Sequence, residues 1–242
     1  MTVVNLSCES NFNDSEKRGA VIFTFDDAWI SEWNSAIPLL DKYGIKATFF
    51  INRPHLLTEE QKIILHKLQN KGHEIACHGY NHKNVVEYVD STDILLAKEI
   101  LPAKELLTQY GFNIKAYAYP FGSSTPAIDS LLLHYFKYLR KATYNINDTT
   151  LDAYDEIYVK SKTQRVFNAM GIDYNYNITS KSFEKGIIRA HKNNEVLVLY
   201  AHRIDNEPAN YRISEANLEE FFSIVKKHKI HSIRISDLQN YF

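Results

Sequence analysis

Two adjacent carboxylates, Asp26 and Asp27, stand at the end of Ala20-Val21-Ile22-Phe23-Thr24-Phe25, a run without a charge. Such a run reads as a strand buried on both faces of a parallel sheet. Like charges held together at a strand tip are costly unless a proton or a cation is shared between them. In parallel α/β folds that tip is also where ligands bind. The competing reading is a loop start or helix N-cap, which Asp commonly supplies. Further on, His78-Gly79-Tyr80-Asn81-His82 follows another apolar run, His73-Glu74-Ile75-Ala76-Cys77. Two histidines at i and i+4 share one face of a helical turn and can bind one metal ion, with a carboxylate from elsewhere as third ligand. The spacing alone is a weak signal in a chain with 10 histidines. Position carries more weight. Asp26-Asp27, His78/His82, Pro120-Phe121-Gly122 and His202 each follow a different predicted strand, which is where a barrel gathers an active site.

The elements that must position these residues alternate. After the Asp pair, Trp33, Ile37, Leu40 and Tyr43 are spaced as a helix over Ser31–Tyr43 that stops at Gly44. A strand over Ile45–Ile51 follows, and Thr58 with Gln61 forms a capping box for a helix through Asn70. Ser91 to Tyr110 reads as a helix kinked or broken at Pro102. Ile114–Tyr119 is a strand, Thr125-Pro126 starts a helix running to about His134, and Tyr138–Thr143 is a strand carrying Arg140. Between residues 145 and 179 the periodicity fails, with one possible strand at Ile157–Val159. Ser182–Asn193 is a helix, Glu195–Ala201 a strand, Ser214–Lys229 an amphipathic helix with a basic end, and Ser232–Ile235 a short last strand. Seven or eight strands alternating with helices predict an α/β fold, a single distorted (β/α) barrel, over residues 20–242. The polar residues 1–19 form an N-terminal arm ahead of it.

Composition narrows the function classes. A formal charge of -1 and no basic run longer than Lys226-Lys227 argue against nucleic acid as a partner. No segment is long and apolar enough for a membrane span. Residues 1–7 carry neither a basic start nor an apolar stretch, so no export signal is expected within this chain, and a periplasmic or cell-envelope location would require one removed ahead of it. Cys8 and Cys77 make no disulfide framework, and Cys77 reads as a buried thiol. His55, His66, His73, His134, His191, His228 and His231 are scattered and read as solvated or structural. Trp29 and Tyr80, with Tyr119 and Pro120, lie near predicted site ends and are candidates for packing against a sugar ring; Trp33 and Tyr200 share that position but read more readily as core.

Thr24-Phe25-Asp26-Asp27-Ala28, His78-Gly79-Tyr80-Asn81-His82, Tyr119-Pro120-Phe121-Gly122 and the late His202 together resemble the ordered motifs of the polysaccharide deacetylase family of carbohydrate esterases. The resemblance implies a distorted (β/α) barrel and removal of N-acetyl groups from amino sugars of a poly- or oligosaccharide. It implies Asp27, His78 and His82 as ligands of a divalent metal, most often zinc, with cobalt or nickel as alternatives. It implies Asp26 as general base, the Phe121 N–H as an oxyanion donor and His202 as the acid that protonates the leaving amine.

Three departures stand out. The family carries an Arg two residues before the motif-three Pro, where it orients the base; here that residue is Ala118, and Arg140 on the next predicted strand is a candidate substitute. Ala28 replaces the usual Gly of the first motif. The family's Asp/Trp motif is not recognisable. Other readings of the same residues are hydrolysis of small cyclic amides, a glycan-binding relative with little turnover, and a two-His, one-carboxylate iron site.

Overall fold

A computed structural model describes residues 19–144 and 149–242. The expected arm, apart from Gly19, lies outside the described residues, as does Cys8. In chain order come β1 (Ala20–Phe25), β2 (Ala47–Ile51), β3 (Glu74–Cys77), β4 (Ala116–Ala118), β5 (Tyr138–Thr143), β6 (Tyr158–Val159), β7 (Val166–Gly171) and β8 (Val196–Ala201). All but β6 run parallel in the order β1-β2-β3-β4-β5-β7-β8, and β8 returns to pair with β1. The result is a closed seven-stranded barrel. Three two-residue strands complete the set: β9 (Arg203–Ile204) and β10 (Arg212–Ile213) form a ribbon of their own, and β11 (His231–Ser232) joins the barrel.

The barrel is splayed at its lower end, where the strands begin. β1 pairs with β8 along its whole length, from Ala20↔Val196 to Phe25↔Ala201. On its other edge only Phe23 to Phe25 reach β2. The gap below is filled by β11, paired at Ala20↔His231 and Val21↔Ser232. On β8 the start is occupied in the same way by β6, running antiparallel. Side chains alternate across the strands as a parallel barrel requires. Phe23, Phe25, Phe49, Tyr117, Leu139 and Leu197 face the helices. Inside, the small residues Ala20, Ala76, Ala116, Ala118 and Ala169 leave room for Ile22, Phe50, Tyr138, Phe167 and Tyr200. Small residues are what admit a buried Arg140 to this interior.

Around the barrel lie α1 (Ile30–Ser35), α2 (Ile37–Tyr43), α3 (Glu59–Asn70), α4 (Thr92–Leu95), α5 (Leu101–Gln109), α6 (Pro126–Leu132), α7 (Ser180–Asn193), α8 (Glu215–Lys227) and α9 (Leu238–Tyr241). Where one helix was expected over Ser31–Tyr43, there are two, because Pro38 in the first turn of α2 has no N–H to continue the ladder. The helix expected over Ser91–Tyr110 is α4 and α5 joined by a π-helical turn, Leu96–Ile100. Pro102 sits in the first turn of α5, and the wider turn relieves the clash its ring would make with the carbonyl four residues back. The capping boxes and caps read at Thr58, Thr125 and Ser214 are all formed. β7 was not anticipated: Asn168, Ala169 and Gly171 give VFNAMG little intrinsic strand character, and its neighbours β5 and β8 impose it.

Candidate active site

At the tip of β1 the chain turns sharply. Asp27 has φ 75 and Ala28 φ 55, so the two adjacent carboxylates diverge, Asp26 into the barrel and Asp27 toward the β3 loop. A left-handed conformation at Ala28 costs about 1 kcal/mol that a Gly would not incur. This is the physical content of the Ala28 departure.

His78 and His82 lie in a loop, not on the helical turn their spacing suggested. Gly79 at φ 88 and His82 at φ 60 fold it back on itself. The π-helical turn braces it: the buried Glu99 accepts from the Asn81 backbone N–H at 2.9 Å and the Asn81 side chain at 2.6 Å, and its carbonyl accepts from the Tyr80 N–H at 3.0 Å. His78 Nδ1 donates to the Ala118 carbonyl at 2.9 Å, which leaves Nε2 as the free lone pair. That Nε2 is 3.5 Å from Asp27 Oδ1 and the His82 Nε2 is 3.1 Å from it. Asn52 donates to the same oxygen at 2.9 Å. Burial alone would raise the Asp27 carboxyl, but the hydrogen bonds and charges of His78 and His82 outweigh it and hold Asp27 far below the usual carboxylate range. The ligand atoms of Asp27, His78 and His82 all lie within 4.8 Å of one another. Two imidazoles and a carboxylate, one imidazole with its tautomer fixed from behind, are a donor set that fits a divalent metal.

Asp26 is almost sealed, at 2% exposure, and so is Arg140, at 1%. Arg140 Nη2 donates to both oxygens of Asp26, at 2.6 and 2.5 Å. Its guanidinium lies between the rings of Phe50 and Tyr200, 5.1 Å from each. Ala118 and Arg140 are register partners on β4 and β5. The arginine absent at Ala118 is therefore matched by one on the next strand, at the same height and bound to Asp26.

On the other side of the cluster, His202 follows β8. Asp173, just past β7, accepts from the His202 backbone N–H at 3.0 Å and contacts its Nδ1 at 2.5 Å. The Trp33 indole donates to the His202 carbonyl at 2.9 Å. Burial would depress His202, but the bond to Asp173 and the charges of Asp173, Asp26 and Asp27 raise it above the ordinary imidazole value. Asp173 escaped the sequence reading because the strand that carries it did.

These groups share a cavity of about 530 Å³. Its wall includes Asp26, Asp27, His78, His82, Arg140 and His202, with Phe121 and Tyr119 from the β4 loop, Tyr200 from β8, and Tyr144, Asn175, Tyr176 and Tyr211 from later loops. Phe121 is held at φ 60 between Pro120 and Gly122, with its ring 5.0 Å from that of His82. A side chain at Gly122 would lie 2.4 Å from the Ala142 Cβ, so the turn tolerates only glycine there. Of the residues read as sugar contacts, Tyr119 lines the cavity with its hydroxyl bonded to Asp129. Pro120 is buried behind the wall, Trp29 packs against Arg203, and Tyr80 stacks on His55 at 4.2 Å; none of the three lines the cavity.

The family model for polysaccharide deacetylase matches residues 13–157, more than half of the chain. YheN of Bacillus subtilis (strain 168), named on inference a polysaccharide deacetylase, is 27% identical over 163 residues, covering 67% of this chain and 54% of YheN. The chain thus spans about half the length of that relative, and less of the other curated relatives. Among solved structures, a family 4 carbohydrate esterase from Streptomyces lividans in complex with acetate has a TM-score of 0.57 at 17% identity, covering 90% of this chain and 94% of that one. A mutant of BA3943 from Bacillus anthracis, described as a CE4 family pseudoenzyme with restored enzymatic activity, has a TM-score of 0.59 at 15% identity, covering 93% and 68%. At such identities the likeness is one of fold.

Proposed function

We propose that this chain, which belongs to the polysaccharide deacetylase family, is a metal-dependent hydrolase that removes N-acetyl groups from the amino sugars of a poly- or oligosaccharide. One observation carries the reading. Separate strand ends deliver to one cavity a three-donor cluster, a buried carboxylate clamped by arginine, and an imidazole tethered to a second carboxylate.

Asp27, His78 and His82 would hold a divalent ion, zinc in the first instance and cobalt or nickel otherwise, which when bound would supply Lewis acidity toward an amide carbonyl and acidify water. Asp26 takes the proton of the attacking water, and Arg140 keeps its carboxylate from rotating away. The Phe121 N–H donates to the oxygen on which negative charge develops. His202 gives its proton to the departing nitrogen, which is otherwise expelled very poorly, and Asp173 fixes the ring so that Nε2 faces the cavity. The products are acetate and a free amine. A glycan-binding role without turnover drew its force from an unpartnered Asp26, and the Arg140 contact removes that ground.

The test is acetate release from N-acetylated oligosaccharides by metal-stripped protein, before and after addition of zinc, cobalt or nickel. Release should require metal and fall by about 10²–10⁴-fold in Asp26→Asn. Stoichiometric metal with no release from any substrate would overturn the reading.

A further inference from the structure

Tyr211 occupies a position that packing does not explain. It sits at the end of the loop between β9 and β10, lines the catalytic cavity and is 56% exposed. Its φ of 59 is left-handed, a conformation that is unfavourable for a bulky residue and persists only where the surroundings enforce it. They do so here. The Asn175 side chain accepts from the Tyr211 N–H at 2.8 Å, and the Tyr211 carbonyl accepts from the Arg203 N–H at 3.2 Å. The flanking arginines are in turn fixed: Arg203 pairs with Glu32 and Asp205, both at 3.0 Å, and Arg212 with Asp205 at 3.0 Å and Glu207 at 2.7 Å.

All this holds one ring edge-on to His202, with centroids 5.1 Å apart and planes at 79°. Among the described residues no other aromatic ring contacts it. A left-handed exposed tyrosine gains nothing for the fold that Gly or Asn would not supply more cheaply. Its location on the His202 side gives it a chemical purpose. The group that receives the His202 proton is the nitrogen borne by the sugar, so the pyranose ring attached to that nitrogen occupies this side of the cavity. The C–H face of a pyranose packs well on a flat aromatic surface.

We propose, on the reading given above, that Tyr211 is the stacking platform for the sugar that carries the cleaved amide, and thereby sets selectivity for a carbohydrate over a small acetylated molecule. A substrate without a ring has nothing to lay against it.

The experiment uses Tyr211→Gly, which removes the ring while accepting the positive φ, and Tyr211→Phe, which keeps it. Binding of a tetramer of N-acetylglucosamine is measured by calorimetry, and hydrolysis of the tetramer is measured beside hydrolysis of a small acetyl ester. Tyr211→Gly should weaken tetramer binding and raise its KM by about tenfold, the upper end of what one aromatic contact supplies. The ratio of kcat/KM on the tetramer to that on the ester should fall with it, and Tyr211→Phe should restore both. Tetramer binding that depends on Tyr211 in a protein that releases no acetate would uphold the platform and overturn the deacetylase reading. Acetate release with tetramer affinity unchanged in Tyr211→Gly, equal loss on both substrates, or no tetramer binding by the unaltered protein would overturn the platform.

Discussion

Asp26 at the upper end of the barrel and Glu74 at its lower end are both enclosed carboxylates, at 2% and 6% exposure, yet only the first has a cation on it. Asp26 receives both its bonds from Arg140. Glu74 receives a hydroxyl from Thr48 at 2.9 Å and the Ser236 N–H at 3.0 Å on one oxygen, while the other is without a hydrogen-bond partner. Arg234, near enough to be felt, is bound to Asp237. Burial pushes the Glu74 carboxyl up, against the Ser236 and Thr48 hydrogen bonds that pull it down. A carboxyl pushed upward by burial suits a place that only needs closing. On the proposed mechanism the upper end needs a carboxylate held in place, and a buried carboxylate is tolerable there only beside its counter-ion.

The sharpest way to break this contrast is to take the cation from Asp26. Arg140→Ala leaves a buried acid unpaired and should cost about 3–5 kcal/mol of stability in urea denaturation, with a large fall in acetate release. Since Ala118 is level with Arg140 on the neighbouring strand, Ala118→Arg combined with Arg140→Ala should recover part of both losses. Recovery of stability without activity would mean that Arg140 pairs with Asp26 for the fold alone.

A smaller effect is expected on the other side of the cluster. Asp173→Asn keeps the shape but loses the charge on His202, and kcat should fall by about a hundredfold with metal content and KM little changed. A raised KM with kcat intact would place Asp173 in substrate binding.

The smallest effect belongs to the lower end. Between the ordinary Glu value and its raised native one, Glu74 holds a proton when folded that the unfolded chain has released. Its stabilisation is thus fully present below the unfolded value and is lost as pH rises through the folded one. Glu74→Gln should flatten the pH dependence of the denaturation midpoint over that window and leave activity within about twofold, since the residue lies away from the cavity wall. A loss of activity comparable to that of Arg140→Ala would erase the distinction between the two ends.

What could be read from sequence follows from how local each feature is. A buried apolar run ending in a charge is local, and it marked Asp26, Asp27, His78 and His202 at strand ends. Arg140 was visible as a strand arginine, but its partner depends on the register of β4 against β5, which no local pattern encodes. Asp173 was lost with β7, a strand imposed by its neighbours. Tyr211 had no signal, because the feature that singles it out is a backbone angle. Trp29 and Tyr80 were chosen for closeness in sequence to the motifs, yet their side chains turn to Arg203 and His55.

β1, the strand that ends in both aspartates, finds partners at the far end of the chain: Thr24 bonds to Leu199, 175 residues away, and Val21 pairs with Ser232. On a ribosome, His78, His82 and Arg140 are therefore in solution well before the strand that must close against β1 has been made. A nascent chain at that stage has the proposed metal donors, all on β1 and the β3 loop, but not the strand that delivers His202 to them. Completion of the proposed site is consequently expected late, when the barrel closes by pairing its first strand with its last ones.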